Sequence, residues 1–250
     1  MSLHIGTAGW SIPKADRERF GDGASILARY ATRLNAVEIN SSFYRPHRPA
    51  TYARWAESVP GDFRFAVKVP RTITHERRLA DCAALLDSFL GECGALGDKL
   101  GPLLVQLPPS LVFDPHTDFF AVLRARFAGD VVCEPRHPSW FAPAADKLLK
   151  GWHVARAAAD PARVPQAAEP GGDTRFVYYR WHGSPRIYYS DYAPEELEAL
   201  AARLPAKAWC IFDNTALGHA TANALTLRDL TARRTGRRNA RDGAADCRPR

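Results

Sequence analysis

Six short apolar runs along this chain each end in a charged or amide side chain. Continuous apolar runs are typical of parallel strands that are buried on both faces of a sheet. Because the carboxyl ends of parallel strands meet at one edge, the runs predict where a site lies before they predict its chemistry. The polar residues at the ends of the runs are Glu38, Asn40, Lys68, Gln106, Glu134, Arg180, Asp213 and Asn214.

Strand-like runs alternate with helix-like segments, which is the order of a parallel α/β fold. The predicted strands are 3–6, 36–39, 63–69, 102–107, 130–133, 152–157, 175–180 and 208–212. The predicted helices are 24–34, 49–58, 79–96, 114–127, 143–149, 193–204 and a last one that ends near residue 230. An open doubly wound sheet is the alternative, but it usually carries a glycine-rich phosphate turn after its first strand. Residues 6–10 lack that GxGxxG spacing, so the prediction is an α/β fold with a closed (β/α)8 TIM-type barrel.

The length of 250 residues, 46% of them hydrophobic, suits a single barrel domain. The formal net charge is +7, but seven arginines and two aspartates lie in residues 232–250, so the rest of the chain is nearly balanced. We predict one barrel domain over 1–231 and a basic, disordered tail over 232–250, because that segment has almost no large apolar residues. Such a tail could contact nucleic acid without sequence specificity.

The segment that begins at Met1 has no basic region followed by a long apolar stretch, and no apolar run approaches the length of a membrane span. The five cysteines show no CxxC spacing, and Cys133 and Cys210 lie inside strand-like runs. Free, buried thiols therefore explain them better than disulfides or a zinc cluster do. These features predict a cytoplasmic protein without a membrane partner, and they leave the oligomeric state open.

The residues around the strand ends also form a recognisable set. They are Gly6, Gly9, Trp10, Glu38, Asn40, Phe43, Tyr44, Phe65, Lys68, Thr74, His75, Gln106, Pro108, Pro109, Glu134, Arg136, Trp140, Arg180, His182, Gly183, Phe212, Asn214, Ala220 and Asn223. In this set the chain resembles the domain-of-unknown-function 72 (DUF72, YecE-like) family over about residues 3–227. The resemblance implies a TIM-type barrel and brings no established reaction. One departure is Asp213-Asn214, where the family commonly has Asn-Asn.

Glu38 and Glu134 end the second and fifth strands and are the predicted acid and base, since two carboxylates in different environments can divide these roles. The alternative is structural ion pairing of Glu38 with Lys68 and of Glu134 with Arg136. Lys68 is a catalytic candidate as a Schiff-base nucleophile, although anion binding and ion pairing are open to it as well. His182, which precedes a turn at Gly183, is a candidate acid or base or a loop-closing residue.

The remaining candidates would bind the substrate. Arg136 and Arg180 suit a negatively charged group, because the planar guanidinium binds carboxylate or phosphate through two hydrogen bonds. The others supply stacking surfaces or hydrogen-bonding groups, with rim packing as the alternative role of the aromatic ones, and they are Trp10, Asn40, Tyr44, His75, Gln106, Trp140, Asp213 and Asn214.

A metal site is possible from the residue types alone, with Glu38, Glu134, His182 and Asp213 as ligands. Lys68, Arg136 and Arg180 at neighbouring strand ends would repel a divalent cation, and no HExxH or paired-cysteine spacing is present. We therefore expect neither a metal nor a tightly bound cofactor.

Three hypotheses about function follow from this set of residues. The leading one is an enzyme that uses acid–base chemistry on a small anionic or polyol, sugar-like substrate, with hydrolase, lyase and isomerase all open. The second is a nucleic-acid-binding or processing protein that uses the aromatic rim and the basic tail. The third is a noncatalytic ligand-binding barrel.

Overall fold

The computed structural model describes the backbone of residues 3–245 and the side chains of residues 3–234. Its ten strands form one sheet in the order β7-β9-β10-β1-β2-β3-β4-β5-β6-β8. The strands are β1 (His4–Ala8), β2 (Ala36–Ile39), β3 (Arg64–Lys68), β4 (Leu100–Gln106), β5 (Val131–Glu134), β6 (Val154–Arg156), β7 (Ala158–Asp160), β8 (Gly171–Gly172), β9 (Val177–Trp181) and β10 (Ala208–Phe212).

The sheet closes through residues 154–160. β6 pairs in parallel with β5, and after Ala157 the same segment continues as β7, which pairs in parallel with β9. Together the two short strands fill the sixth barrel position, so the chain has the predicted closed TIM-type architecture. The predicted strand 152–157 starts two residues too early and ends three too soon. β8, which runs antiparallel to β6, falls in a segment for which no strand is predicted.

Seven α-helices and several shorter turns of helix connect the strands in the described part of the chain. The helices are α1 (Ile26–Tyr30), α2 (Pro49–Glu57), α3 (Ala83–Cys93), α4 (Phe119–Arg124), α5 (Pro143–Gly151), α6 (Pro194–Arg203) and α7 (His219–Ala245). The short 3-10 turns are Lys14–Arg19, Ser41–Phe43, Gly94–Lys99, Pro138–Phe141 and Pro165–Ala168, and Thr72–Glu76 is a π-helical turn.

The helix predicted over 114–127 is shorter in the structure, because Asp114-Pro115 begins a turn instead. The Asp114 carboxylate accepts a hydrogen bond from the backbone N–H of His116 at 2.9 Å, which is the local bond of an Asx turn. The helix α4 then begins only at Phe119. An aspartate followed by proline fits both a helix start and a turn, so the sequence does not separate the two.

The last helix, α7, extends from His219 to Ala245 and includes much of the segment that is predicted to be a disordered tail. Arginine and alanine are good helix formers, so a segment that is too polar for a core can still continue a helix. Residues 246–250 lie outside the described residues, as do the side chains from 235 onward. The predicted contact of the tail with nucleic acid stays a prediction.

Two apolar cores lie on the two faces of the sheet. The core inside the barrel comprises Ala36, Ala66, Leu104, Val132, Ala155, Ala157, Phe176, Tyr178, Trp209 and Ile211. The larger core, between the strands and the helices, takes the alternate strand residues, such as Val37, Val105 and Phe212. Side chains of a strand alternate between its faces, so strands such as β2, β3, β4, β5 and β10 contribute to both cores. This explains why the strands have continuous apolar sequences.

Cys82, Cys93, Cys133 and Cys210 are free and buried, in agreement with the prediction of unpaired thiols. Cys247 lies outside the described residues. Among the helices that the structure describes, none has both the length and the apolar character to cross a membrane.

We predict that Phe120→Ala lowers the free energy of unfolding by about 3–5 kcal/mol, because it removes a fully buried ring and leaves a cavity. Phe120 lies on α4, and its ring packs against Phe119 and Trp140 between helix and barrel. Urea unfolding followed by circular dichroism measures the loss. Val112→Ala is the matched control, since Val112 is 56% exposed and its truncation should change stability by less than about 0.5 kcal/mol. Equal losses in the two variants would contradict this account of the core.

Candidate active site

The alternation of side chains along the strands places a set of polar residues at the carboxyl-terminal end of the barrel interior. Ala36, Ala66, Leu104 and Val132 face the interior, and the residue two positions further along each strand faces the same way. Those residues are Glu38, Lys68, Gln106 and Glu134. Tyr178 and Ile211 are followed in the same manner by Arg180 and Asp213.

Arg180 is the centre of this set and is fully buried. Its Nε and Nη2 donate to the two carboxylate oxygens of Glu38 at 3.0 and 2.7 Å, which is a bidentate pair. Nη1 donates to Glu134 Oε2 at 2.5 Å, and Nη2 also donates to Asp213 Oδ2 at 3.1 Å. One guanidinium therefore joins three carboxylates that come from three separate parts of the barrel. We call these four residues the ionic cluster.

The charge states within the ionic cluster follow from these contacts. Burial alone lowers the pKa of Arg180, but Glu134, Glu38 and Asp213 outweigh it and raise that pKa well above its ordinary value. Burial likewise favours protonated carboxyls, yet Arg136 and Arg180 hold the pKa of Glu134 well below its ordinary range. Burial is also outweighed at Asp213, whose pKa is lowered by Arg180 and His182. Arg180, Glu134 and Asp213 are thus charged at neutral pH.

His182 links the two sides of the ionic cluster. Its Nδ1 lies 3.0 Å from Asp213 Oδ2, and its Nε2 lies 2.9 Å from Glu134 Oε1. Nε2 also lies 3.2 Å from Arg136 Nη2, so His182 contacts both carboxylates and the arginine at the edge of the site. Four basic side chains, Lys68, Arg136, Arg180 and His182, thus lie among three carboxylates.

Arg136 lies at the open side of the site, with a side chain that is 12% exposed. Its Nε and Nη2 lie 2.9 and 2.7 Å from Glu134 Oε1, so the predicted Glu134–Arg136 ion pair is present. Nη1 has no hydrogen bond or ion pair within the described part of the chain. One edge of this guanidinium is therefore available to a ligand.

Lys68 differs from the rest of the site because its ammonium is unpaired. Within the described residues Nζ has neither a hydrogen bond nor an ion pair, and it lies 4.1 Å from the centre of the Phe43 ring. Glu38, the partner that the sequence suggests for Lys68, pairs with Arg180 instead. Lys68 is 5% exposed, and burial, together with the charge of Arg180, lowers its pKa to about 8.

Glu38 and Arg180 are occupied mainly by each other. Glu38 is fully buried, and both of its oxygens accept hydrogen bonds from Arg180, with a further one at Oε2 from the Tyr178 hydroxyl at 3.0 Å. The guanidinium of Arg180 is fully buried as well and positions three carboxylates. The catalytic role of Glu38 and the anion contact of Arg180 stay predictions.

Trp140 belongs to the core of the protein, and the substrate contact predicted for it stays a prediction. It is 1% exposed, its Nε1 donates to the backbone carbonyl of Leu111 at 3.0 Å, and its ring packs edge-on against Phe113. Both the ring and its one donor are occupied by the protein. The sequence shows an aromatic residue after a strand, but burial depends on the neighbouring loop, which is distant in sequence.

Asn214 is fully buried, and its side chain hydrogen-bonds to the loop after β9. Its Nδ2 donates to the Ser190 carbonyl at 2.9 Å and to Asn223 Oδ1 at 2.8 Å, and Asn223 in turn donates to Asp191 Oδ1 at 2.8 Å. The amide therefore positions residues 190–191. Its buried Oδ1 has no partner in the described residues, and the substrate contact predicted for Asn214 stays a prediction.

The other predicted binding residues lie around the ionic cluster to different depths. Gln106 is buried, and its Nε2 lies 3.4 Å from Glu134 Oε2. His75 lies in the π-helical turn with its ring edge-on to Phe43, and burial, followed by the charge of Lys68, lowers its pKa. Tyr44 is 72% exposed, and Trp10 packs edge-on against Trp55.

Asn40 and Asp213 complete the predicted set. Asn40 has a buried Oδ1 with no hydrogen-bond partner in the described residues, so this oxygen can accept a hydrogen bond from a ligand. Asp213 belongs to the ionic cluster and binds His182 and Arg180 rather than open solvent. Of the predicted residues, the structure thus brings Glu38, Lys68, Gln106, Glu134, Arg136, Arg180, His182 and Asp213 together.

The sequence reasoning missed one tyrosine of the site, Tyr178. It precedes Arg180 by two residues and so lies on the same face of β9, a signal that the alternation of side chains could have supplied. Tyr188, one of several aromatic residues in the loops after the strands, lies beside His182, with ring centres 6.0 Å apart in an edge-to-face arrangement. Its contact with His182 depends on the fold of the loop 183–192, which the sequence pattern does not predict.

Within the described residues, no group of three or more histidine, cysteine, aspartate or glutamate side chains is arranged to hold a metal ion. The physical reason lies in Arg180, whose guanidinium takes the central position between Glu38, Glu134 and Asp213. The three carboxylates that were considered as metal ligands therefore form ion pairs with the Arg180 guanidinium.

The fold and the site define a TIM-type barrel whose interior ends in a buried network of ion pairs, at the face where barrel enzymes have their active sites. The family model described as "Protein of unknown function DUF72" matches residues 4–245, and the chain belongs to this family. The UPF0759 protein YecE of Escherichia coli K12 is 34% identical over 158 residues, which are 60% of this chain and 55% of that protein. The chain thus spans about half the length of the curated relatives it matches.

Solved structures of DUF72 proteins share the fold. A protein from Thermotoga maritima superposes with a TM-score of 0.76 at 22% identity, covering 92% of this chain and 99% of that one. A protein from Enterococcus faecalis gives a TM-score of 0.73 at 21% identity, covering 92% of this chain and 97% of that one. At these identities the similarity establishes the barrel and leaves the chemistry to the residues themselves.

We predict that Arg180→Met destabilises the protein by about 3–5 kcal/mol at pH 8, because it leaves buried carboxylates without their central cation. Glu134 and Asp213 have lowered pKa values in the folded protein, so their ion pairing stabilises it above about pH 4 and is lost as the pH falls through the lowered values. In the variant these carboxyls take up protons more readily. The difference from the native chain should therefore be smaller at pH 5 than at pH 8.

Urea unfolding at the two pH values measures this difference. Arg203→Met is the matched control, because the Arg203 side chain is 42% exposed and lies 3.5 Å from Glu169, and such surface pairs contribute little. A loss at Arg180 that is the same at pH 5 and pH 8 would contradict the electrostatic explanation.

Proposed function

We propose that this barrel is an enzyme that binds a small anionic substrate at the carboxyl-terminal face and transfers a proton through Lys68. The observation that carries the proposal is the division of the site into two sets of groups. The carboxylates of the ionic cluster and Arg180 are paired with one another, whereas Lys68 Nζ has no partner within the described residues.

Anion binding is supported by the donors that remain free. Lys68 Nζ and Arg136 Nη1 have no hydrogen bond or ion pair within the described residues, and both belong to cationic side chains at the carboxyl-terminal end of the barrel. A negatively charged group would accept hydrogen bonds from these two donors. Arg136 is already oriented by Glu134, so the loss of side-chain entropy on binding is small.

Proton transfer is supported by the state of Lys68. A general base works best when its pKa lies near the working pH, and burial with the charge of Arg180 lowers the pKa of Lys68 to about 8. Glu134 and Asp213 are poorer candidates, because nearby cations lower their pKa values well away from neutral pH. This assignment moves the acid–base role from the two glutamates to the lysine.

Hydrolases, lyases and isomerases can all use proton transfer by a side chain, so the proposal includes these three enzyme classes. It includes polyol substrates that carry an anionic group as well. Covalent chemistry at the same amine is a separate outcome. If Lys68 formed a Schiff base with a carbonyl substrate, borohydride would reduce it to a stable amine, and mass spectrometry would detect the added mass on Lys68. A lysine that acts only as a general base would gain no mass.

We predict that Lys68→Met slows turnover at least about 100-fold, which is the lower end of what a general acid–base group contributes. The native chain and the variant are each incubated with a mixture of small carboxylates, sugar phosphates and neutral polyols, and consumption is followed by mass spectrometry. Lys207→Met is the matched control and should turn over substrate as the native chain does, because Lys207 is an exposed lysine just before β10, at the opposite end of the barrel.

Two results would overturn the proposal. One is unchanged turnover in Lys68→Met with the fold preserved, as judged by thermal unfolding. The other is an anion that binds to the native chain and is never consumed, which would make the protein a noncatalytic ligand-binding barrel.

We also predict that kcat/KM rises with pH and levels off above about pH 8 once a substrate is in hand. The neutral amine is the form that accepts a proton, and the pKa of Lys68 is lowered to about 8. The pH profile of kcat/KM for the free enzyme measures this. A profile that falls from pH 7 to pH 9 would show that the protonated form of the group is required.

A further inference from the structure

Tyr188 has a backbone conformation that bulky residues rarely adopt. Its φ angle is +71°, in the left-handed region where the side chain crowds the backbone. Residues in this region persist only where the surrounding structure holds them, and they concentrate at functional sites. The proposed function assigns no role to Tyr188.

The backbone of Tyr188 is held on both sides by the barrel. Its N–H donates to the carbonyl of His182 at 2.5 Å, and its carbonyl accepts from the N–H of Ala216 at 3.1 Å. These two bonds fix it between the ends of β9 and β10. The conformation is therefore built into the site rather than left to a free loop.

The rest of the loop is anchored as well. The N–H of Gly183 donates to the Tyr192 hydroxyl at 2.8 Å, and that hydroxyl donates to Asp160 Oδ1 at 2.9 Å. At the other end Asn214 donates to the Ser190 carbonyl at 2.9 Å. Buried side chains of three different segments thus hold the residues on either side of Tyr188.

The anchored backbone directs the Tyr188 ring to the site. The ring lies edge-on to His182 with 6.0 Å between ring centres, and the charges of Asp213, Arg136 and Arg180 all act on its hydroxyl. Burial, followed by Asp213, raises the pKa of Tyr188, so its phenol keeps its proton and remains a donor. Tyr188 is 42% exposed, and its hydroxyl has no hydrogen-bond partner in the described residues.

We infer that Tyr188 is a substrate-binding residue, whose hydroxyl donates a hydrogen bond to the anionic group that Arg136 and Lys68 bind beside His182. The inference rests on the proposed function, and it adds the neutral Tyr188 hydroxyl to the two basic side chains, Arg136 and Lys68, that would bind the anion. It also explains the left-handed backbone, because that conformation brings a tyrosine from the loop onto the charged end of the barrel. An anion with several oxygens, such as a carboxylate or a phosphate, can accept hydrogen bonds from the phenol and the guanidinium together.

The test is the affinity for inorganic phosphate, measured by isothermal titration calorimetry at pH 7. Tyr188→Phe keeps the ring and removes the hydroxyl, and we expect phosphate to bind about tenfold more weakly, which is the usual loss of a hydrogen bond to a charged group. Tyr189→Phe is the matched control, since Tyr189 is the next residue, is 40% exposed and packs under the guanidinium of Arg186. It should bind phosphate within about twofold of the native chain.

A further variant, Arg136→Gln, separates the failure of this inference from that of the proposed function. If Arg136→Gln loses phosphate binding while Tyr188→Phe binds as the native chain does, Tyr188 is not a ligand contact and the proposed anion site stands. If the native chain does not bind phosphate, the anion site and the role of Tyr188 both fall. Thermal unfolding of Tyr188→Phe should match the native chain, and a large drop would assign the hydroxyl to folding instead.

Discussion

The structure depends on one buried guanidinium. Arg180 comes from β9, and it holds Glu38 at the end of β2, Glu134 at the end of β5 and Asp213 just after β10. These strands lie at different positions around the barrel, so the interactions of one side chain connect its walls across the interior. Buried ion pairs of this kind add little net stability over an apolar core, but the loss of one partner leaves charges that water does not solvate. We therefore regard Arg180 as the residue that fixes the geometry of the site.

This arrangement also decides which groups are free to do chemistry. Glu38 and Glu134, the expected acid and base, bind Arg180, and Glu134 further binds Arg136 and His182. Three residues at the site keep donors without partners in the described residues, namely Lys68, Arg136 and Tyr188. A TIM-type barrel of the DUF72 family thus combines a rigid, fully paired ionic cluster with a small set of available cationic and phenolic donors. The cluster orients Arg136 through the contact of its guanidinium with Glu134.

Much of the fold could be predicted, because the alternation of apolar and polar residues is a local property of the chain. The strands around Glu38, Lys68 and Glu134 lie close to their predicted positions, and the closed barrel is confirmed. The prediction fails where one local signal fits two structures. Asp114-Pro115 fits a helix start as well as the turn that it forms.

The sequence by itself determined the barrel and the face on which the polar residues meet, since the twofold period of a strand directs every second side chain inward. Only the tertiary structure decided how those residues pair. Glu38 lies 142 positions from Arg180 along the chain, and no local pattern indicates that it binds this arginine rather than Lys68. The same holds for Trp140, whose burial depends on Leu111, and for Tyr188, whose backbone is held by His182 and Ala216. Charge pairing and burial are properties of distances between remote residues, and those distances exist only once the barrel has closed.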